Sequence, residues 1–331
     1  YYKRNTPPYR VQRFQCRQCR KSFSRQTFTT TYWLKRPELL AKVANLTVNG
    51  MANRQIARVL ECAPSTVDNL IARLGRHTVL YHLHLMDDAS PPGDIVLDGL
   101  VSFEYSQYFW VEIITAIEND TSFMPFFGLA QRRRPGKMTE RQKERRAQLE
   151  EQLGRPDPRA VEKATREVLE FSLRKADRVT LRTDEHTDYP RAMRGLDCEI
   201  EHRTTSSKDY RNRNNELFEV NSFDRFLRHS SVNHTRETLA FSRRIQCIGE
   251  RMAVFMVWKN CVKRRWELDD KRTPAMLKGL LERPLKFRDI LRKRLFVDHF
   301  ELPEGWRRLY WRLWETPVLG RNRRHELKYA R

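Results

Sequence analysis

The chain has 331 residues, enough for one large core with small modules appended to it. Lysine and arginine number 64 against 42 acids, and a surplus of +22 spread along the whole sequence points to a polyanionic partner, because neutralising phosphates releases counterions. The longest apolar runs, such as 252–258, fall far short of the ~20 residues of a membrane span; no signal peptide is recognisable, and the six cysteines are expected to stay reduced in a cytoplasmic setting.

Residues 9–28 read as a short β-hairpin around Cys16-x-x-Cys19. This is half a zinc ribbon, since tetrahedral zinc needs four ligands and no second Cys or His pair lies close by. A complete Zn²⁺ site would need ligands before Tyr1, where the chain is expected to lack its native start; a metal-free remnant is the competing reading of residues 1–30. Over residues 31–88 the pattern turns helical and contains a helix-turn-helix candidate, residues 53–71. Ile56, Leu60, Val67 and Leu70 would share a core, small Ala57 would permit close crossing, and the second helix would offer Ser65, Thr66, Asn69 and Arg73 to a major groove. Glu61 stands where such turns favour glycine, so an ordinary helical hairpin competes.

After the break 90–93, strand-like segments follow at 94–103, 108–117 and 123–130, close enough together for an antiparallel meander. Residues 132–175 are charged and helical and read as an insertion that adds little to any core. Strand texture returns at 177–184 and 199–205, and a long helical region is expected from about 215 to 265. The basic, aromatic extension 266–331 includes 306–314, whose Trp306, Tyr310, Leu313 and Trp314 are expected to pack inward rather than stack on bases.

Three acids sit at telling places in this order. Asp98 closes the apolar run 94–98, Asp184 ends the alternating run 179–184, and Asp224 lies on the helical stretch 220–228. A meander, a fourth strand and a helix describe a ribonuclease-H-like catalytic domain, of class α+β or α/β, over 89–265. Strands one and four are then neighbours, so Asp98 and Asp184 could share one Mg²⁺ while Asp224 completes a second ion site. Two ions ~3.5–4 Å apart activate the attacking oxygen and stabilise the leaving one. Oxygen ligands suit Mg²⁺ or Mn²⁺. Arg182, His202, Arg203, Lys208, Arg225, Arg228 and Arg236 surround these acids in sequence and could grip phosphates. His186 stays outside the core site.

The Cys-x-x-Cys followed by Lys21-Ser22-Phe23-Ser24, the helix-turn-helix candidate, and Asn221-Ser222-Phe223-Asp224-Arg225-Phe226-Leu227 together resemble bacterial insertion-sequence transposases of the DDE class. The likeness covers about residues 10–265. It implies a magnesium-dependent enzyme that binds double-stranded DNA at the element's ends, cuts it and joins it to a target, working as at least a dimer in the bacterial cytoplasm near the nucleoid. In that family the third acid is usually glutamate in an Asn-Ser-x-Glu helix; here it is Asp224, one methylene shorter, and Glu219 and Glu237 stay open as alternatives. Residues 233–242 are similar to the family's Arg-x-Thr-x-x-Phe-Ser segment and are expected on the same helix. A non-catalytic DNA-binding regulator is the main rival. Walker-type, Gly-x-Gly-x-x-Gly, Gly-x-Ser-x-Gly and His-Glu-x-x-His patterns are absent, which removes the usual support for nucleotide-driven, dehydrogenase, serine-hydrolase and zincin chemistry.

Overall fold

The computed structural model describes residues 1–3, 9–206, 208–268 and 271–323. Strand β1 (Tyr2–Lys3) pairs with β2 (Arg10–Val11), and β3 (Arg13–Gln15) pairs antiparallel with β4 (Ser22–Ser24), with Phe14 stacked on Phe23. Cys16 and Cys19 lie in the turn of that second hairpin, as the spacing predicts. The backbone N–H groups of Cys19 and Gln18, then the Cys19 thiol, hold the Cys16 thiol below its ordinary pKa.

Helices α1 (Leu39–Val48), α2 (Asn53–Val59) and α3 (Pro64–Met86) follow. The turn between α2 and α3 carries Glu61 at φ +47°, the left-handed conformation glycine adopts most easily. Arg36 steadies it by donating to the carbonyls of Leu60 (3.3 Å) and Glu61 (3.0 Å). Pro64 opens α3 at its first position, where a missing N–H costs nothing. The second helix runs well past the end of the 53–71 candidate. Its apolar positions recur to Met86, and its C-terminal half lies in the core.

Strands β5 (Asp94–Phe103), β6 (Phe109–Glu118) and β7 (Phe126–Arg133) form the predicted antiparallel meander. Helices α4 (Glu140–Leu153) and α5 (Ala160–Ser172) then lead to β8 (Arg178–Thr183), which lies parallel to β5, and short α6 (Asp188–Ala192) precedes β9 (Glu199–Thr204), parallel to β8. The sheet order is β7-β6-β5-β8-β9. This is a five-stranded mixed sheet flanked by helices, compatible with a ribonuclease-H-like fold. The expectation that 132–175 adds little to the core holds for α4, which buries no residue, and fails for α5. Val161, Ala164, Thr165, Val168 and Leu169 of α5 recur at three- and four-residue spacing and pack on the sheet.

The long helix expected over 215–265 is two helices, α7 (Phe218–Ser230) and α8 (Ile245–Cys261), with a 3-10 turn at Val232–His234 and irregular chain between. The break has a local cause. Ser, Thr and Asn side chains compete for backbone hydrogen bonds here, Thr235 Oγ1 donating to the Arg228 carbonyl at 3.1 Å, while buried Asn233 and His234 are held by Ser242 and Ser102. Short α9 (Pro274–Leu277), α10 (Phe287–Arg292) and α11 (Glu304–Tyr310) complete the chain. Trp306 is buried against Phe126, ring centroids 4.3 Å apart, and donates from Nε1 to the Phe127 carbonyl; Tyr310 and Trp314 are buried too, so the extension packs inward as expected. Residues 324–331 of that extension lie outside the described residues.

Side chains alternate across the sheet, so its two faces carry different layers. Gly128, opposite Ile114 and Gly99 in the ladders, lies against Ala164 and Val168 of α5, whereas Leu129, opposite Ile113 and Leu100, lies against Gly249 of α8. Helices α3 and α8 cross backbone to backbone: a Cβ at Gly75 would come within 2.9 Å of the Glu250 Cα. One continuous apolar cluster runs from Leu39 and Val43 of α1 through the sheet to Trp306 and Trp314. The helical region 31–88 is therefore built onto the sheet rather than tethered to it.

Candidate active site

Asp98 and Asp184 are brought together by strand register. The parallel pairs run Asp94 with Thr180, Ile95 with Leu181 and Val96 with Arg182, and two more steps along each strand reach Asp98 and Asp184. Asp184 follows the last residue of β8, as predicted. Asp98, expected at a strand end, instead lies mid-strand: β5 continues to Phe103 because β6 pairs with it throughout, and only its pairing with β8 stops before Asp98. Asp98 accepts a 2.7 Å hydrogen bond from the Gly99 N–H, and Asp184 one of 2.9 Å from the His186 N–H.

Helix α7 packs on the Asp98 face and carries Asp224. The electrostatics register the approach of the three acids. Burial pushes the Asp98 carboxyl up to about 6; the Gly99 N–H opposes this, while Asp184 and Glu112 add repulsion and Arg211 offsets it. Asp224 is held well above the usual carboxylate range, first by burial and then by Asp98, against the pull of Arg228 and Arg211. Tyr189 of α6 is buried and its hydroxyl raised by that burial, with Asp98, Asp184, Glu112 and Asp224 all contributing. Thus Tyr189 lies near the same group of carboxylates.

The oxygens are of the kind that hold a hard divalent cation, and Asp224 Oδ1 is enclosed without a hydrogen-bond partner, which a cation would supply. Nevertheless, among the described residues no three His, Cys, Asp or Glu side chains stand close enough to form a ready-made ion cage. Asp98 is near enough to Asp184 and to Asp224 for mutual repulsion, but the three do not close into a cage. Cys16 and Cys19 likewise have no third His, Cys, Asp or Glu close enough to complete a zinc site among the described residues.

Other sequence-predicted residues divide sharply. Glu219 accepts from Ser122 Oγ and pairs with Arg265 at 3.0 Å, so it is committed elsewhere. Glu237 is exposed on the irregular chain after α7, at φ +56°, and Arg236 is exposed beside it. Arg182 pairs with Asp94 (2.9 Å) and Glu216 (3.1 Å), Arg203 with Glu201 (2.6 Å), and His202 bonds Thr183 Oγ1 (2.8 Å). These three serve the sheet. Arg228 reaches the His234 carbonyl at 3.3 Å and acts on Asp224, while Arg225 and Lys208 are exposed. On α3, Ser65 and Asn69 are exposed and Thr66 partly so. Arg73 departs from expectation: it is turned inward, donating to the carbonyls of Thr30 (2.8 Å) and Tyr32 (2.7 Å), and tethers the N-terminal segment.

Three neighbours of the acids escaped sequence reasoning. Glu112 is buried in β6, pairs with Arg132 and lies over Gly99, where any Cβ would collide with it. A charge inside the otherwise apolar run 109–117 was the available signal. Tyr189 and Arg211 left none, because a short helix and a polar loop bring them to the site.

No family model matches the chain, and no curated protein matches it. Among solved structures, a chain of the cryo-electron microscopy structure of the simian T-cell lymphotropic virus intasome in complex with PP2A regulatory subunit B56 gamma is similar at 12% identity, over 74% of this chain and 74% of that chain, with a TM-score of 0.29. That likeness is too slight to carry an argument. Among the described residues no helix is long and apolar enough to cross a membrane.

Proposed function

We propose that the protein is a DNA transposase of the DDE class that binds the ends of a mobile element and performs strand cleavage and strand transfer with divalent metal ions. The observation that carries this reading is the approach of Asp98, Asp184 and Asp224 from β5, β8 and α7 on a mixed sheet, with one enclosed and unpartnered carboxylate oxygen among them. Asp98, Asp184 and Asp224 would hold Mg²⁺ or Mn²⁺, and ions bound there would activate the attacking oxygen and stabilise the leaving one. The chain's own groups do the rest. Arg211 and Arg228 offset the carboxylate charge so that a phosphate can approach, and exposed Lys208, Arg225 and Arg236 meet the flanking backbone. Ser65, Thr66 and Asn69 on the exposed start of α3 would read base edges, with α2 across the backbone as in a helix-turn-helix. Bringing two ends together calls for at least a dimer.

A non-catalytic DNA-binding relative is the second reading, favoured by the lack of a ready-made three-acid cage among the described residues. Paired element ends with Mg²⁺ or Mn²⁺ separate the two. On the transposase reading, wild type nicks and joins, while Asp98→Asn and Asp184→Asn each lose roughly three orders of magnitude or more in rate, equivalent to about 4 kcal/mol of barrier, and still bind the ends. Specific binding by wild type without any nicking or joining would replace the enzyme with the regulator.

A further inference from the structure

We infer that the cleft between the first turns of α7 and the C-terminal end of α8 is a separate anion site that takes one backbone phosphate of bound DNA. This rests on the DNA-binding reading above and extends it to a place no motif marks. The cavity, about 160 Å³, is lined by Ser222, Phe226, Lys259, Lys263, Arg264 and Trp266 among others. At its wall Lys259 is only 8% exposed, and its ammonium has no hydrogen bond or ion pair with any described residue. The carboxylate acting on it, Glu219, also lines the cleft but already serves Ser122 and Arg265. Burial lowers the Lys259 pKa to about 8; Glu219 opposes this, while Lys263 and Arg265 add to it.

A desolvated ammonium whose carboxylate neighbour is shared with Arg265 is costly, and an anion in the cleft would relieve it. The surroundings are graded for such a visitor. Arg264 is exposed at the rim, Lys263 lies 5.5 Å over the Phe226 ring while bonded to Glu267, and Ser222 offers a hydroxyl. Arg213 and Arg265 stand 5.9 and 5.8 Å from the Trp266 ring centroid, so the loop before α7 reaches this cleft through Arg213 while Arg211, two residues earlier, acts on Asp98 and Asp224. On α7 itself Ser222 and Phe226 flank Asp224 two residues away on either side, about 200° around the helix. The cleft therefore opens on the side of α7 away from Asp224, and the phosphate it takes belongs to backbone several nucleotides from the one at the acids.

The test is binding, not activity. Fluorescence anisotropy of the full chain with a short labelled duplex of mixed sequence, repeated over a range of salt, should show Lys259→Met weakening affinity roughly tenfold and flattening the log K against log salt slope by about one. Arg264→Ala, at the exposed rim, should act in the same direction and decides the matter if the Lys259 variant fails to fold. Lys137→Met, an exposed control far along the chain, should change neither. Unaltered affinity and slope in both cleft variants would overturn the proposal. So would inorganic phosphate binding that is lost in Lys259→Met while duplex binding is not, an outcome that makes the cleft a free-anion site. Failure of nicking and joining assays would leave these readouts untouched, so the two proposals fail separately.

Discussion

Asp98 shows how one residue's environment sets two pH dependences of opposite sense. Its folded pKa of about 6 lies above the ordinary 3.8, so between those values the folded state binds more protons than the unfolded one, and stability falls as pH rises through that window. Asp98→Asn removes the penalty, which is on the order of 1–3 kcal/mol for a shift of this size. Denaturant midpoints should therefore place the variant above wild type at pH 7 and level with it near pH 4; equal midpoints at both would show that the carboxylate is not strained by burial. On the transposase reading, metal-dependent nicking needs the ionised carboxylate, so its rate should rise with pH, with a midpoint that moves lower as the metal concentration is raised. Asp224 invites a finer substitution. On the proposed reading, Asp224→Glu gives the arm length usual in the family the chain resembles and should keep or raise activity, whereas activity that survives Asp224→Asn would remove it from the site.

Among the elements, the five strands were legible because alternation and β-branched runs survive averaging, and the register that aligns Asp98 with Asp184 follows from those strands alone. Helix α5 was misjudged for the converse reason. Its exposed face carries Lys163, Arg166 and Glu170, and that charge masks the stripe of Val161, Ala164, Val168 and Leu169 beneath. The continuity assumed across 231–244 failed because a polar segment can satisfy its backbone through side chains, which no hydrophobic period reports. Arg73 and Asn69 supply the test at this scale. Arg73→Ala should cost about 1.5–3 kcal/mol in stability, as for hydrogen bonds made by a charged donor, without changing sequence preference. Asn69→Ala should leave the melting temperature unchanged and narrow the gap between element ends and random duplex. A reversal of these two outcomes would mean that α3 meets DNA further along its length.

At the level of the whole molecule, the shared apolar cluster argues for a single cooperative unit. Scanning calorimetry of the full chain should give one unfolding transition whose calorimetric and van't Hoff enthalpies agree. Two resolved transitions, the smaller lost on deletion of residues 1–88, would instead restore the independent N-terminal module that the sequence suggested.

Helix α3 has one more consequence. At 23 residues it spans roughly 35 Å, about one turn of duplex DNA, and its exposed start and buried end belong to the same unbroken rod, clamped to α8 at Gly75. If its first turns sit in a groove, the rod is a ruler: the number of base pairs between the sequence read and the phosphate cut is fixed by the protein, and inserting half a helical turn of DNA between them rotates the scissile bond away from Asp98.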